Sequence, residues 1–287
     1  MKLNLCIAAR GKPEELQYVV AECDRHVADS DNTVISVALD ADDDSLNQRI
    51  APQTRCELLW NVAPREDSLG EKYSRCASLA AADLYVLGAD DNAFITEGWD
   101  DRIRKRAALF PDSLGLVYFG RLDGTLPVNM ALPHALVGIQ GFLFPPYWPT
   151  WWHDTWTDEI AHMTGRHLWA EIQVEEIGGR GQTRGLRDVV FWANLFEATR
   201  PEREMIAHRL NQQYNAKYPW RLAQLEQALP LMRAFFSNRT ARLRDPATAG
   251  QFEKRMSHDA PADERYLRIK AKAEQKLAEL QGTSVAA

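Results

Sequence analysis

The first third of the chain alternates between two hydrophobic rhythms. Short apolar runs at 3–9, 33–39, 56–62 and 84–87 have strand length and end in polar residues or Gly. Helical stretches lie between them. Pro13-Glu14-Glu15 opens one that reaches about residue 27, with Pro in the first turn and acids at the positive end of the dipole. A short helix is expected over 45–50. Ser68 with Glu71 three residues on forms a capping box and predicts a helix over 68–82. This alternation predicts a parallel, doubly wound sheet. Right-handed crossovers then bring every strand's carboxyl end to one edge. Arg10, Asp40 and the Asp90-Asp91 pair should gather there, where open α/β sheets bind ligands.

Beyond Asp91 the pattern changes. A helix is predicted over 99–110 and a strand over 114–119. Residues 128–144 read as mixed and strand-like, with Gly138 and Gly141. A loop dense in Pro and Trp spans 145–152. A short helix over 154–164 follows, with Asp154 as its N-cap. A strand is predicted over 167–175 and a Gly-rich loop over 178–185. From Val189 the pattern is helical, closing on a charged amphipathic helix at 262–281 and a frayed tail at 282–287.

Composition narrows the class. A chain of 287 residues is long enough to bury a sizeable core, and no apolar run has membrane-spanning length. The apolar stretch at the start is too short for a signal peptide and reads as a first strand. Cys6, Cys23, Cys56 and Cys76 lack Cys-x-x-Cys spacing and read as buried apolar residues in a reducing compartment. The expected location is cytoplasmic, the host cytoplasm for a phage-encoded chain. The net charge of −6 conceals an asymmetry: residues 1–199 carry 18 Lys and Arg against 30 Asp and Glu, whereas residues 200–287 carry 16 against 10. The basic rear is either a surface for an anionic acceptor, such as nucleic acid or a lipid headgroup, or a solvated face that docks on the acidic front.

The Asp90-Asp91 pair carries the sharpest chemistry. Adjacent carboxylates repel unless a cation or a proton sits between them. Hard oxygen ligands suit Mg²⁺ or Mn²⁺, which in turn hold phosphate oxygens. The competing reading is a polar loop that caps the next helix.

At this point several stretches resemble a known family. Cys6-Ile7-Ala8-Ala9-Arg10-Gly11-Lys12-Pro13 resembles the opening strand and turn of family-2-like glycosyltransferases of the GT-A fold. Val37-Ala38-Leu39-Asp40-Ala41-Asp42-Asp43 resembles their second strand, and Ser68-Leu69-Gly70-Glu71-Lys72-Tyr73-Ser74-Arg75 resembles their third helix. Leu87-Gly88-Ala89-Asp90-Asp91, then Gly98-Trp99-Asp100, resembles their metal-binding Asp-x-Asp region. Ala89 stands where the first acid would fall. His153-Asp154-Thr155-Trp156 resembles the motif that opens the acceptor-side helix. The stretch with Glu175, Glu176, Arg184 and Asp188 resembles a later segment that often holds a His near Glu176. The resemblance covers about residues 1–195.

The resemblance implies an α/β GT-A fold, Rossmann-like, with a mixed, mainly parallel sheet flanked by helices and a helical C-terminal extension. It divides the chain into a nucleotide-sugar-binding and catalytic domain, 1–198, and a basic helical region, 199–287. It implies transfer of a hexose from a nucleotide-diphosphate sugar, a UDP- or GDP-sugar, to a hydroxyl acceptor with inversion. Mn²⁺ or Mg²⁺ would be held by Asp91 and Asp90, with Glu176 in place of the missing His. Ala8, Arg10, Asp40, Lys72 and Asp90 would bind the nucleotide sugar, with Arg65 and Asp42 as neighbouring alternatives. Asp154 would be the catalytic base, Asp158 the second choice one turn on, and Glu159 a poorer third. His153 reads as a donor or acceptor contact or as structural. Asn92 reads as a metal-water or ribose contact or as a turn residue. Trp148, Trp151, Trp152 and Trp156 form either a stacking platform or a hydrophobic lid or core. Arg180 and Arg184 sit in a loop that would close over phosphates.

The acceptor stays open between a hydroxymethylated base of phage-type DNA and a surface glycan or lipid-linked acceptor. Two rival classes remain. A sugar-nucleotide nucleotidyltransferase would carry a Gly-rich basic loop after the first strand, for which Arg10-Gly11-Lys12 is short. A non-catalytic binding protein would keep the fold without the chemistry.

Overall fold

The computed structural model describes residues 1–44, 53–120, 129–149, 151–178, 187–256 and 263–283. They pack as two compact units, Met1–Pro146 with Arg166–Arg180, and Tyr147–Gly165 with Gly181–Ala287. The expected division fell at 198/199.

The first unit holds β1 (Leu3–Ala8), α1 (Pro13–Arg25), β2 (Thr33–Asp40), β3 (Glu57–Ala63), α2 (Leu69–Ser78), β4 (Leu84–Ala89), β5 (Asn92–Phe94), α3 (Trp99–Ala107), β6 (Leu116–Phe119), β7 (Asn129–Pro133), α4 (His134–Gln140), β8 (His167–Trp169) and β9 (Val174–Glu176). Seven strands form one sheet in the order β3-β2-β1-β4-β7-β6-β8. The β3-β2-β1-β4 half is parallel, as the strand–helix alternation predicts. The other half is mixed, because β7 runs antiparallel to both β4 and β6. The β6–β7 connection, residues 120–128, is shorter than the dozen or so residues that a parallel crossover needs. The sheet is therefore mixed and mainly parallel, as the resemblance implies, rather than wholly parallel as the strand–helix alternation alone suggests.

The core of this unit joins alternate residues of β1 and β2 (Leu3, Leu5, Ile7; Ile35, Val37, Leu39) to the inner faces of α1 and α3. All four cysteines are buried and free. The capping box of α2 is present in full: Ser68 Oγ accepts from the Glu71 N–H and the Glu71 side chain accepts from the Ser68 N–H. Gly98-Trp99-Asp100 serves packing. Trp99 is fully buried and donates to the Cys23 carbonyl, while the Asp100 carboxylate accepts from the N–H groups of Ala28 and Asp29.

Two sequence expectations for this unit change. Residues 134–140 form the helix α4 rather than strand, closed by Gly141 in the left-handed region at φ 81°. The predicted strand over 167–175 divides into β8, which pairs with β6, and β9, which pairs with β5 in a separate two-stranded ribbon. One apolar run thus serves two ladders. The helix expected over 45–50 lies outside the described residues.

The second unit is helical: α5 (His153–Thr164), α6 (Val189–Ala198), α7 (Arg200–Leu210), α8 (Pro219–Arg244), α9 (Pro246–Met256) and α10 (Glu264–Thr283). The α10 helix continues through Gly282, where fraying was expected. Trp148, Trp156 and Trp192 are fully buried, and Trp152 stacks on Phe196 at 4.6 Å between centroids. Trp148, Trp152 and Trp156 are therefore hydrophobic core and not an exposed stacking platform, while Trp151 is half-buried against Val189 and Ala249. Among the described residues no helix is long and apolar enough to cross a membrane.

Candidate active site

Strand register brings the polar residues together in the first unit. Ala8 pairs with Ala38 on one side and Ala89 on the other, so β1 and β4 end at one level and β2 runs on two residues to Asp40. Arg10, Asp40 and Asp90 follow within two residues of that level. The Arg10 N–H donates to Asp90 Oδ2 at 2.8 Å, and its guanidinium meets Asp40 at 3.0 Å and Asp42 at 2.7 and 3.1 Å. The crevice expected from the topology is present.

Asp40 sits inside a cluster of cations. Its Oδ1 lies 2.7 Å from Lys72 Nζ and 3.6 Å from Arg75, and its Oδ2 lies 3.8 Å from Arg65 as well as next to Arg10. Its side chain is only 2% exposed. A carboxylate so enclosed orients the basic groups around it. Asp42 is the exposed acid of the pair, and the Arg10 hydrogen bonds draw its pKa down. Lys72 also donates to the Ala9 carbonyl at 2.7 Å, and burial lowers its pKa. Arg75 braces the strand ends: it donates to the Leu39 carbonyl and to Asn61 and pairs with Glu66.

The acid pair ends β4. Burial pushes the Asp90 carboxyl up to about 6, against the pull of the Arg10 N–H and of Lys12. Lys12 Nζ lies 2.7 Å from Asp91 Oδ2 and 3.9 Å from Asp90 Oδ1. Burial opposes the Lys12 charge, but the Asp91 hydrogen bond and the fields of both acids outweigh it and raise its pKa. An ammonium thus already stands where the two acids meet, so the pair is a cation seat. Among the described residues no three Asp, Glu, His or Cys side chains are grouped to hold a metal ion. A two-carboxylate seat fits Mg²⁺ or Mn²⁺, which commonly take one or two protein carboxylates and fill the rest of the shell with water and phosphate oxygens.

Glu176 is exposed on β9, opposite Asn92 in the β5–β9 ribbon. It does not join Asp90 and Asp91 in a three-member group. Asn92 opens β5 and does not lie in a turn. Sequence reasoning passed over Lys12. The available signal was its place next to Gly11, which adopts φ 71° and turns the chain at the end of β1.

The remaining site residues belong to the second unit. The N-cap of α5 is Trp152, at φ 76°, with no side-chain cap. Asp154 is therefore inside the first turn, where its carboxylate accepts from the Thr155 N–H at 2.7 Å. Burial raises its pKa. Asp158 is bound to Arg239 at 2.7 Å and stands 3.4 Å from His162. Burial alone would raise its pKa; the hydrogen bonds from His162 and Arg239 bring it below the ordinary range. Glu159 and Arg203 pair at 2.6 Å, both fully buried. Asp188 is held by Lys270 and by the Tyr266 hydroxyl. Arg180 and Arg184 lie outside the described residues.

No protein-family model and no curated protein matches the sequence. Solved structures do match. S. aureus TarS 1–349 in complex with UDP-GlcNAc aligns over 96% of this chain and 92% of its own, with a TM-score of 0.55 at 11% identity. A second structure of S. aureus TarS 1–349 covers the same shares with a TM-score of 0.50 at 10% identity. Glucosyl-3-phosphoglycerate synthase from Mycobacterium tuberculosis, in complex with Mg²⁺ and UDP, covers 70% of this chain and 79% of its own, with a TM-score of 0.48 at 13% identity. Together with the β3-β2-β1-β4-β7-β6-β8 order and the flanking helices, the TarS likeness identifies the fold of this chain as GT-A.

Proposed function

We propose that the chain is a metal-dependent glycosyltransferase that moves a hexose from a nucleotide-diphosphate sugar to a hydroxyl acceptor with inversion. One observation carries the reading: on this fold, Arg10, Lys12 and Lys72 converge with Asp90 and Asp91 at the carboxyl edge of the parallel half-sheet. Basic groups and an acid pair at that edge suit a diphosphate and its counter-ion. TarS 1–349 with bound UDP-GlcNAc adds support from a structural relative.

In this reading Asp91 and Asp90 hold a divalent cation. When bound, it supplies Lewis-acid neutralisation of the diphosphate that leaves the anomeric carbon. Arg10 and Lys72 orient the donor, with Asp40 holding both in place. Asp154 takes the proton from the acceptor hydroxyl. Of the acids in the first turns of α5 it is the one without a short ion pair among the described residues, and a raised pKa makes it the stronger base. Asp158 and Glu159, both committed to Arg, are read as structural.

The acceptor is read as a surface glycan or lipid-linked hydroxyl. The charge argument for DNA weakens because at least five of the sixteen Lys and Arg after residue 199 are paired with acids of this chain: Arg239 with Asp158, Arg203 with Glu159, Arg233 with Glu204, Lys270 with Asp188 and Lys276 with Glu202. Activity that depends on duplex DNA with hydroxymethylated bases and falls steeply with salt would reverse that choice.

The donor is tested by thermal shift with UDP-, GDP- and dTDP-sugars, with and without Mn²⁺. A ligand that binds only the folded chain raises the melting temperature. One donor class should do so in a Mn²⁺-dependent way, and no shift with any of them rejects the reading. For the base, Asp154→Ala should lower transfer about 10²–10⁴-fold. Little loss would instead assign a retaining reaction.

A further inference from the structure

We propose that Lys12 couples cation binding to diphosphate binding: it fills the seat between Asp90 and Asp91 in the free protein and passes to the diphosphate when a divalent ion takes that seat. The inference rests on the donor-site reading above and adds an order of events to it.

The geometry separates a fixed backbone from a movable side chain. The Arg10 N–H is tied to Asp90, and the Gly11 N–H to Asp43 at 2.6 Å. The Lys12 carbonyl accepts from the Leu16 N–H at 3.0 Å as α1 begins. Gly11, at φ 71°, makes the turn that aims residue 12 at the acids. With the backbone held on both sides, only the four-carbon stem has to swing for the ammonium to leave.

The seat has room for one cation. Nζ stands 2.7 Å from one carboxylate and 3.9 Å from the other, so a divalent ion held by the same two residues would meet a like charge close by. Lys12 has to move first, and its side chain is only 17% exposed, so it leaves its partner without full access to water. A diphosphate at the strand ends supplies the anion that receives it. The ion needs the same diphosphate, because the two carboxylates leave most of its shell to other oxygens. Metal and diphosphate therefore each remove an obstacle to the other, and linkage makes the gain reciprocal. Glu15, whose field also reaches Lys12, is the competing destination. If Lys12 moved there, the metal would bind without help from the diphosphate.

The test is calorimetric titration of the full chain with Mn²⁺, with and without UDP, for wild type, Lys12→Met and Asp91→Asn, each first shown to be folded by its melting curve. Wild type should bind Mn²⁺ weakly alone and on the order of tenfold or more tightly with UDP. Lys12→Met should bind Mn²⁺ alone about tenfold more tightly than wild type and gain less from UDP. Lys12→Gln serves as a second neutral variant, and Lys12→Arg should restore the coupling. Unchanged Mn²⁺ affinity in Lys12→Met, with weakened binding in Asp91→Asn, overturns the role of Lys12 and leaves the donor site standing. Unchanged affinity in both variants overturns the donor site itself.

Discussion

Two groups of acids in this chain are built on opposite plans. At the end of β4, Asp90 and Asp91 share one ammonium, and Asp90 is held up near 6 by burial. On α5, Asp158 and Glu159 each own a guanidinium, and the Glu159–Arg203 pair is sealed, with Arg203 3.8 Å above the Phe196 ring and also bonded to Thr199. The second arrangement is closed: each charge is met and the surroundings are apolar. The first is one positive charge short. Acids each matched to a guanidinium hold helices together, whereas acids left short of cation are ready for one from outside.

Neutralising one acid in each group separates the plans most widely. Asp91→Asn removes half of the cation seat. Two unit charges near 4 Å interact by about 4 kcal/mol at an effective dielectric of about 20. Nucleotide release from the donor should accordingly fall about a thousandfold. Its side chain is 24% exposed and near the strand end, so the urea midpoint should move little. Glu159→Gln should do the reverse. It strands Arg203 as a buried, unpaired charge, which costs about 3 kcal/mol or more of stability. The rate per folded molecule, taken well below the melting temperature, should hold. A large rate loss with intact stability in Glu159→Gln would erase the distinction.

Much of the carboxyl edge of the parallel half-sheet was legible in the sequence, for physical reasons. Strand runs separated by capped helices leave few topologies, and right-handed crossovers force Arg10, Asp40 and Asp90 to one edge. The Ser68–Glu71 cap is local and was read directly. Lys12 was legible only through its place after Gly11, because its partner lies 79 residues away and a lone Lys carries no periodic signal. Asp40 was read as a nucleotide-sugar contact because its place at a strand end is visible, whereas the four cations around it come from α2 and from the connections after β1 and β3. On α5 the sequence offered Asp154 as a cap, since Asp before an apolar run is the usual signal. The backbone starts the helix earlier, at a Trp in the left-handed region. The Trp cluster was ambiguous because aromatic residues suit a sugar and a core equally well, and only burial decides between them.

The smallest expected effect probes the α5 plan through pH. The hydrogen bonds from His162 and Arg239 hold the Asp158 carboxyl below its ordinary value despite burial. A carboxylate with a depressed folded pKa contributes stability that is fully present above the unfolded value, about 3.9, and is lost as pH falls through the lower folded value. Wild type should therefore exceed Asp158→Asn by about 2 kcal/mol at pH 7, less than the sealed pair, because Arg239 is 23% exposed and water can take up its charge. The gap should hold down to about pH 5 and close below about pH 4. Urea titrations of both proteins between pH 7 and pH 3 measure it. A gap that stays constant over that range would mean that packing, and not the ion pair, fixes Asp158, and the contrast between the two acid groups would then rest on Glu159 alone.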